Sequence, residues 1–342
     1  MKKTIALLLI AVALMATGCS GSAEKLYVYN WGNYIDDTLL TKFSEQTGIE
    51  VVYEEYATNE DMYVKIKNGG SQYDLIFPSD YMLEKMIKED MLEKIDVSAI
   101  ENYKNIGDDF KNLAYDPKDA YSVPYLWGTV GILYNKTMVD EPVDSWEILF
   151  KEKYKQKILM LDSQRDTLMI ALKLLGYSMN TRDEAELEAA KELLIKQKDL
   201  VLSYVVDNGK DIMLQGGAAF MPAWNGDAVE LIRTNPDLDF ALPKEGTNLW
   251  YDVMAIPKGA PNKAAAMQFI DFMLDAENAA ENARSIGYAT PNTEAFKLLD
   301  GALQNDKIAY PDKASLKNSE VFADPGEFLE VYNKIWSDLK MK

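Results

Sequence analysis

Hydrophobic positions recur along the chain with two alternating periods, which predict strands and helices in turn. Residues 25–31, 49–53 and 73–77 are rich in β-branched and aromatic side chains, as in buried strands. Each is followed by apolar residues at helical spacing, and the first such stretch ends at Gly48. The order strand, helix, strand, helix, strand is typical of a mostly parallel sheet with helices on its faces.

A second series of the same kind begins beyond an extended stretch at residues 121–134. Strand patterns at 157–161 and 218–224 alternate with helical patterns, of which 184–196 has a charged outer face. A strand at 248–257, bounded by a glycine turn and a proline, then returns to the first domain. The two series and the length of 342 residues predict two α/β domains.

Short polar residues predict where helices begin, because their side chains can accept bonds from the free N–H groups of a first turn. Asp36 or Asp37 is expected to cap the first helix, and Asn59 the second. A further helix is predicted over residues 327–339, where apolar residues stand at core spacing.

The strand at 248–257 carries the side chains that most clearly indicate a kind of ligand. Strand alternation places Trp250 and Asp252 on one face, with Tyr251 and Val253 on the other. An indole ring attracts an organic cation and covers its methylenes, while a carboxylate accepts its N–H bonds. The alternative is a half-buried strand with one exposed acid, which is the more common origin of a lone W-x-D motif.

Similar pairings of aromatic with small polar or acidic residues recur after other strands, at residues 31–34 and 79–81. In open parallel sheets, ligands bind at the carboxyl ends of the strands. The recurrence therefore favours a binding site for a cation, although each stretch taken alone could be an ordinary loop.

The formal net charge of −19 narrows the range of partners. Such acidity argues against nucleic acid, whose phosphates it would repel, and is compatible with a cationic ligand. A surface that keeps the protein soluble is a more frequent cause of high charge. The chain has no histidine and one cysteine, which excludes Ser-His-Asp and Cys-His mechanisms and histidine-ligated metal sites. No cofactor or metal is expected, and carboxylate-dependent enzymes such as glycosidases remain.

Residues 1–18 predict a signal peptide, because two lysines precede an apolar stretch too short for a mature membrane helix. Small residues then lead to Cys19, an arrangement that resembles the bacterial lipobox, although Ala16 stands where leucine is more common. Cys19 is expected to be lipidated, with residues 19–23 as mature N-terminus and spacer. The lipid would hold the protein on the cell membrane, facing the periplasm or the outer surface. An ordinary signal peptide with an incidental cysteine is the alternative.

The chain as a whole resembles the spermidine/putrescine-binding proteins of bacterial ABC importers. Matching motifs occur in order through both halves, at residues 29–31, 73–76, 78–79, 123–128, 224–226, 250–252 and 286–292. The resemblance implies a two-lobed periplasmic-binding-protein fold of type II, in which each lobe is a mostly parallel sheet flanked by helices. Residues 24–129 plus 252–296 would form lobe 1, and residues 130–251 plus 297–342 would form lobe 2.

The resemblance also implies a function. A protein of this family would capture a polyamine, spermidine or putrescine, in the cleft between the lobes. It would then deliver the polyamine to the permease subunits of an ABC transporter, acting as a monomer and not as an enzyme.

The ligand residues of the family carry over position by position. The contacts so implied are Trp31, Gly32, Tyr34, Ser79, Tyr81, Asp166, Trp224, Trp250, Asp252 and Tyr288. Three positions depart from the spermidine binder: Asn33 and Ser163 stand where it has acids, and Phe322 stands where it has glutamine. Asp162 adjoins Ser163 and could replace the second of these acids. The departures leave the polyamine class intact and the choice of polyamine open.

Two other kinds of function stay open at this point. The same fold could bind a different organic cation or act in a sensor. An exported hydrolase with Asp166 and Asp252 as its acid pair would need one carboxyl with a raised pKa in an apolar pocket. Many α/β sheets host unrelated functions, but the order of the motifs favours polyamine binding.

Overall fold

One continuous sheet of nine strands runs through residues 24–69 and 72–341, which are the residues that the computed structural model describes. The strands are β1 (Lys25–Trp31), β2 (Glu50–Tyr56), β3 (Leu75–Ile76), β4 (Ser122–Asn135), β5 (Ile158–Leu161), β6 (Val201–Val205), β7 (Phe220–Trp224), β8 (Leu238–Ala241) and β9 (Leu249–Ala255). Their order across the sheet is β2, β1, β3, β9, β4, β7, β5, β6, with β8 also paired to β4.

Helices connect the strands and cover the sheet. The α-helices are α1 (Asp37–Thr47), α2 (Asn59–Lys67), α3 (Asp80–Lys88), α4 (Gln164–Leu174), α5 (Glu184–Gln197), α6 (Asn208–Leu214), α7 (Asn225–Thr234), α8 (Lys263–Met273), α9 (Ala276–Ile286), α10 (Thr293–Leu298), α11 (Gly301–Gln304) and α12 (Leu329–Met341). Short 3₁₀ helices lie at Val97–Ala99, Glu101–Asn105, Asp108–Phe110, Trp146–Phe150, Glu152–Tyr154, Lys198–Leu200 and Gly326–Phe328. Within the described residues, no helix has the length and apolar character needed to cross a bilayer.

The long strand β4 joins two halves of the sheet. Its first part, Ser122 to Thr129, pairs antiparallel with β9, and its second part, Val130 to Asn135, pairs antiparallel with β7 and β8. On one side β2, β1 and β3 are parallel, and on the other side β6, β5 and β7 are parallel. This arrangement agrees with two α/β lobes joined by crossing strands. The residue numbers at which the lobes divide stay a prediction.

The caps of the first two helices show one correct and one wrong prediction. The Asp36 side chain accepts a bond from the Thr38 N–H, and Gly48 ends the helix with a φ of 76°. The second helix is capped by Thr58, whose side chain accepts a bond from the Asp61 N–H. The predicted cap Asn59 instead turns its side chain inward, where it serves the site described below.

The predicted strand over 73–77 is reduced to Leu75 and Ile76. Next to it, the Asp74 N–H donates to the Tyr27 carbonyl at 2.8 Å, and the Asp74 carboxylate accepts bonds from the N–H groups of Tyr27 and Asn262 at 2.9 and 2.7 Å. Strand β6 and helix α6 had no counterpart among the predicted elements. Strand β6 lies at the edge of the sheet, and its apolar residue Leu202 is exposed. Its sequence therefore lacks the regular alternation of apolar and polar residues by which a half-buried strand is predicted.

Candidate functional site

The carboxylate of Asp252 is held by two hydroxyl groups at the antiparallel contact of β9 with the end of β3. Ser79 Oγ donates to its Oδ1 at 2.6 Å, and Tyr34 Oη donates to its Oδ2 at 2.7 Å. The residue is 7% exposed, and burial raises its pKa to about 6, although both hydrogen bonds act in the opposite direction. A carboxylate has about four acceptor positions, so two donors leave room for an ammonium group.

Aromatic rings surround this carboxylate. The Trp250 ring lies 5.4 Å from that of Tyr288, which lies 5.2 Å from that of Tyr34. Tyr125 fixes the backbone below them, because its hydroxyl donates to the Tyr34 carbonyl at 2.6 Å. The rings meet edge to face, and all three side chains are buried, so the carboxylate lies in largely apolar surroundings.

The start of α7 comes so close to this aromatic wall that only glycine fits. A Cβ atom at Gly226 would lie 2.4 Å from Cγ of Tyr288. At Gly128 of β4, a Cβ atom would lie 2.5 Å from Cζ2 of Trp250. The two glycines therefore set the positions of both rings.

We expect Gly226→Ala to destabilise the protein by about 1–3 kcal/mol, since the added methyl group must displace the Tyr288 ring. Gly301→Ala is the matched control: it also lies in a helix, and its added Cβ has no neighbour within 4 Å. Urea unfolding of the two variants measures the difference. Equal urea midpoints for the two variants would show that the Tyr288 ring can move aside without loss of stability.

A second buried carboxylate, Asp166, lies in the first turn of α4. Its Oδ2 accepts a bond from Ser163 Oγ at 2.7 Å. Its Oδ1 is buried and has no hydrogen-bond partner among residues 24–69 and 72–341. Burial raises the pKa of Asp166 to about 6, against the opposing effects of the Ser163 hydroxyl and the Arg165 guanidinium. This oxygen is thus a free acceptor in a protected position.

Arg165 brings the two halves of the molecule together beside Asp166. Its guanidinium lies 4.4 Å from the centre of the Phe322 ring and 5.7 Å from that of Tyr81. One nitrogen donates to the Ala323 carbonyl at 3.2 Å, and another to Asn180 Oδ1 at 2.9 Å. Phe322 therefore packs on an arginine, which an amide in that position would do less well.

Over residues 38–311 the chain matches the family described as bacterial extracellular solute-binding protein. It is 40% identical over 338 residues to the spermidine/putrescine-binding periplasmic protein of Escherichia coli strain K12, with 97% of each chain covered. The chain belongs to the bacterial extracellular solute-binding proteins.

Solved structures of relatives have the same fold as this solute-binding protein. The spermidine/putrescine ABC transporter substrate-binding protein PotD of Streptococcus pneumoniae is 43% identical, with a TM-score of 0.83, and the match covers 93% of this chain and 99% of that one. The lipoprotein TpPotD of Treponema pallidum is 31% identical, with a TM-score of 0.85, over 93% and 100% of the two chains. The predicted two-lobed periplasmic-binding-protein fold is confirmed.

The solute-binding protein brings most of the sequence-predicted residues into two groups. One surrounds Asp252 and the other surrounds Asp166, as described above. Trp31 lies near the first group, where its indole N–H donates to the Phe77 carbonyl at 2.8 Å. Trp224 is half-buried and immediately precedes α7. Their direct contact with a ligand stays a prediction.

Three of the predicted ligand residues lie outside these two groups, at or near the protein surface. Gly32 and Asn33 are exposed in the turn after β1, and the Asn33 N–H donates to Glu55 Oε1 at 3.3 Å. Asp162 is partly exposed and forms an ion pair with Lys340 at 2.8 Å. Since Lys340 already neutralises that carboxylate, Asp162 is a weak replacement for the acid missing at Ser163.

Sequence reasoning missed Asn59 as a part of the site. Its amide nitrogen donates to Ser79 Oγ and Tyr81 Oη, each at 3.1 Å, and its oxygen accepts a bond from the Ser79 N–H. It thereby orients the hydroxyl that holds Asp252. No local pattern could have indicated this role, because an asparagine before a helix normally signals a cap. In the described part of the chain, no group of three or more acidic, histidine or cysteine residues could hold a metal ion.

Proposed function

We propose that this solute-binding protein captures a polyamine between its lobes and delivers it to the permease of an ABC transporter. The pair of buried carboxylates, Asp252 and Asp166, carries the proposal. Each is at least nine-tenths buried, and each has its pKa raised to about 6 by that burial. An ammonium group between such oxygens and aromatic faces would relieve the cost of burying them.

A polyamine fits this chemistry because it alternates ammonium groups with methylene chains. Carboxylates bind the charges, while the rings of Trp250, Tyr288 and Tyr34 cover the methylenes. The names of the relatives support the proposal, since they are described as binding proteins for spermidine and putrescine. An anionic ligand is disfavoured by the uncompensated acids.

Isothermal titration calorimetry with putrescine, spermidine and 1,4-butanediol tests the proposal. The diol has the same carbon chain as putrescine and lacks its charges, so we expect heat from both polyamines and none from the diol. Absence of binding by every polyamine would overturn the proposed function.

The polyamine recovered after long incubation with the protein should be chemically unchanged. Product that scales with protein concentration and is lost in Asp166→Asn would instead support a hydrolase.

Attachment to the membrane through Cys19 is a second part of the proposal, and this residue lies outside the described residues. The description of the Treponema pallidum relative as a lipoprotein supports it. We expect Cys19→Ala to abolish labelling by a radioactive fatty acid and to release the protein from washed membranes, with ligand binding unchanged. A variant that stays with the membranes after a high-salt wash would contradict lipid anchoring.

Closure of the two lobes around the ligand completes the proposed mechanism. Tyr81 and Arg165 meet across the lobes, so a bound polyamine would be enclosed between α3 and α4. The protein is expected to act as a monomer. Small-angle X-ray scattering should show a smaller radius of gyration with polyamine than without it.

A further inference from the structure

Helix α3 begins in an unusual way, because the serine that precedes it does not cap it. A serine in this position normally accepts a hydrogen bond from an N–H of the first turn. Ser79 makes no such bond, and its Oγ donates to Asp252 Oδ1 at 2.6 Å instead. The Tyr81 N–H of the first turn donates to Oδ1 of Asp80, at 2.7 Å. Asp80 thus replaces the serine as the acceptor and leaves the Ser79 hydroxyl to Asp252.

The other carboxylate oxygen of Asp80 reaches strand β9. The end of β3 pairs antiparallel with β9, and the chain beyond it follows the same pattern, with the Val253 N–H donating to the Pro78 carbonyl at 3.0 Å. In such a pairing every second N–H points to the same neighbour, so the next one belongs to Tyr251. This N–H donates to Asp80 Oδ2 at 3.0 Å. The carboxylate therefore replaces the backbone carbonyl that is lost where the chain turns into α3.

Both of these bonds lie in the interior of the protein. Asp80 is 1% exposed, and burial raises the pKa of its carboxyl well above the ordinary value, against the effect of the two N–H bonds. Burying a carboxylate costs free energy that an apolar side chain in the same place would not cost. A carboxylate offers two acceptor oxygens, however, one for the N–H of α3 and one for the N–H of β9. Its presence is therefore explained by the connection that it makes between the two elements.

The connection lies directly beside the contact between Ser79 and Asp252. Tyr81 comes two residues after Ser79, and Tyr251 is the residue before Asp252. A movement of about 1 Å between α3 and β9 would take the serine hydroxyl out of hydrogen-bond range of the carboxylate. Without Asp80, the free Tyr81 N–H would also draw this hydroxyl back towards the usual capping position. The bond between Ser79 and Asp252 therefore depends on Asp80.

We infer that Asp80 is a positioning residue of the binding site, which keeps the Ser79 hydroxyl on Asp252 by tying α3 to β9. Both of its oxygens accept bonds from backbone N–H groups, so it acts on the ligand through the Asp252 carboxylate. The inference rests on the proposed function and deepens it, because it adds a residue that determines the affinity for polyamine from behind the site.

A double-mutant cycle, measured by calorimetry with spermidine and putrescine, tests the inference. Asparagine at position 80 keeps the size of the side chain and has one acceptor oxygen for the two N–H groups. We expect Asp80→Asn and Ser79→Ala each to weaken the binding of both ligands about tenfold. The double variant should bind at most about twofold more weakly than Ser79→Ala alone, since Asp80 acts through Ser79. A loss of about a hundredfold, which is the product of the single effects, would overturn the inference.

Asp74→Asn is the matched control for stability. Asp74 is also buried and accepts N–H bonds from two distant segments, at Tyr27 and Asn262, but it precedes β3, whereas Asp80 follows this strand. We expect both substitutions to lower the urea midpoint, and only Asp80→Asn to lower the affinity. Unchanged affinity in Asp80→Asn would overturn the inference. Should Asp80→Asn not fold, Asp80→Ser takes its place in the cycle, because the serine hydroxyl can accept the Tyr81 N–H but does not reach β9.

The same calorimetry separates positioning from a direct effect of the Asp80 charge on the ligand. Loss of a buried negative charge that acts through its field alone would weaken spermidine, with three positive charges, more than putrescine, with two. A displaced Ser79 hydroxyl weakens both ligands by the same factor, which is the expected result. A markedly larger loss for spermidine in Asp80→Asn would overturn the inference. Failure of the wild type to bind any polyamine would instead contradict the proposed function.

Discussion

Replacing Asp252 by asparagine is expected to weaken the binding of both putrescine and spermidine by about 2–4 kcal/mol. The carboxylate lies within the ring of aromatic side chains, where an ammonium group would lose its water. Asparagine has the same shape and keeps an acceptor for one of the two hydroxyls, Ser79 Oγ or Tyr34 Oη. The loss therefore reflects the missing charge and not a collapsed site.

Calorimetry on the wild type and Asp252→Asn measures this effect, and Asp237→Asn is the matched control. Asp237 is exposed, and the same loss of one negative charge there should change affinity by less than about 0.5 kcal/mol, because salt and water screen it. Near-normal affinity of Asp252→Asn for both ligands would remove Asp252 from the binding site.

Lowering the pH from 7 to 5 is expected to weaken polyamine binding about tenfold for each of the two buried carboxyls, or up to about a hundredfold together. With pKa values raised to about 6, Asp166 and Asp252 are mostly ionised at pH 7 and mostly protonated at pH 5. Only the ionised form pairs with an ammonium group. Around these carboxyls lie the charged groups Arg165, Glu60 and Asp80.

The same pKa values predict how the ligand-free protein responds to pH. A carboxyl with a raised pKa in the folded state holds its proton more strongly there than in the unfolded chain. Its contribution to stability is therefore greatest below pH 4 and is lost as the pH rises through about 6. The gain in melting temperature on adding spermidine should accordingly be larger at pH 7.5 than at pH 5.

Titrations across pH 5 to 8 in the wild type and in Asp252→Asn check the assignment. The variant has lost one of the two titrating groups, so its affinity should depend on pH about ten times less over this range. A pH dependence that is the same in both proteins would mean that Asp252 does not titrate near pH 6. An affinity that rises on acidification would contradict the role of both carboxylates.

The sequence could predict the parts of the site that follow from local rules. Strand alternation correctly placed Trp250 and Asp252 on one face, because that face is set by the backbone alone. The cap at Asp36 and the end at Gly48 were also correct, since each depends on a few neighbouring residues. By contrast, the Asn59 cap was wrong, because a tertiary contact with Ser79 and Tyr81 took its side chain.

The sequence by itself therefore determined the α/β class, the two-lobed fold, the family and the shared face of Trp250 and Asp252. Only the tertiary structure decided which acids are buried and unpaired. Asp162, adjacent to Ser163, proved to be paired with Lys340, whereas Asp166 keeps a free buried oxygen. Burial and pairing depend on residues far apart in the chain, such as Ser79 and Tyr34, which both donate to Asp252. The free-energy cost of a buried charge is set by those distant neighbours, so it cannot be predicted from a local sequence pattern.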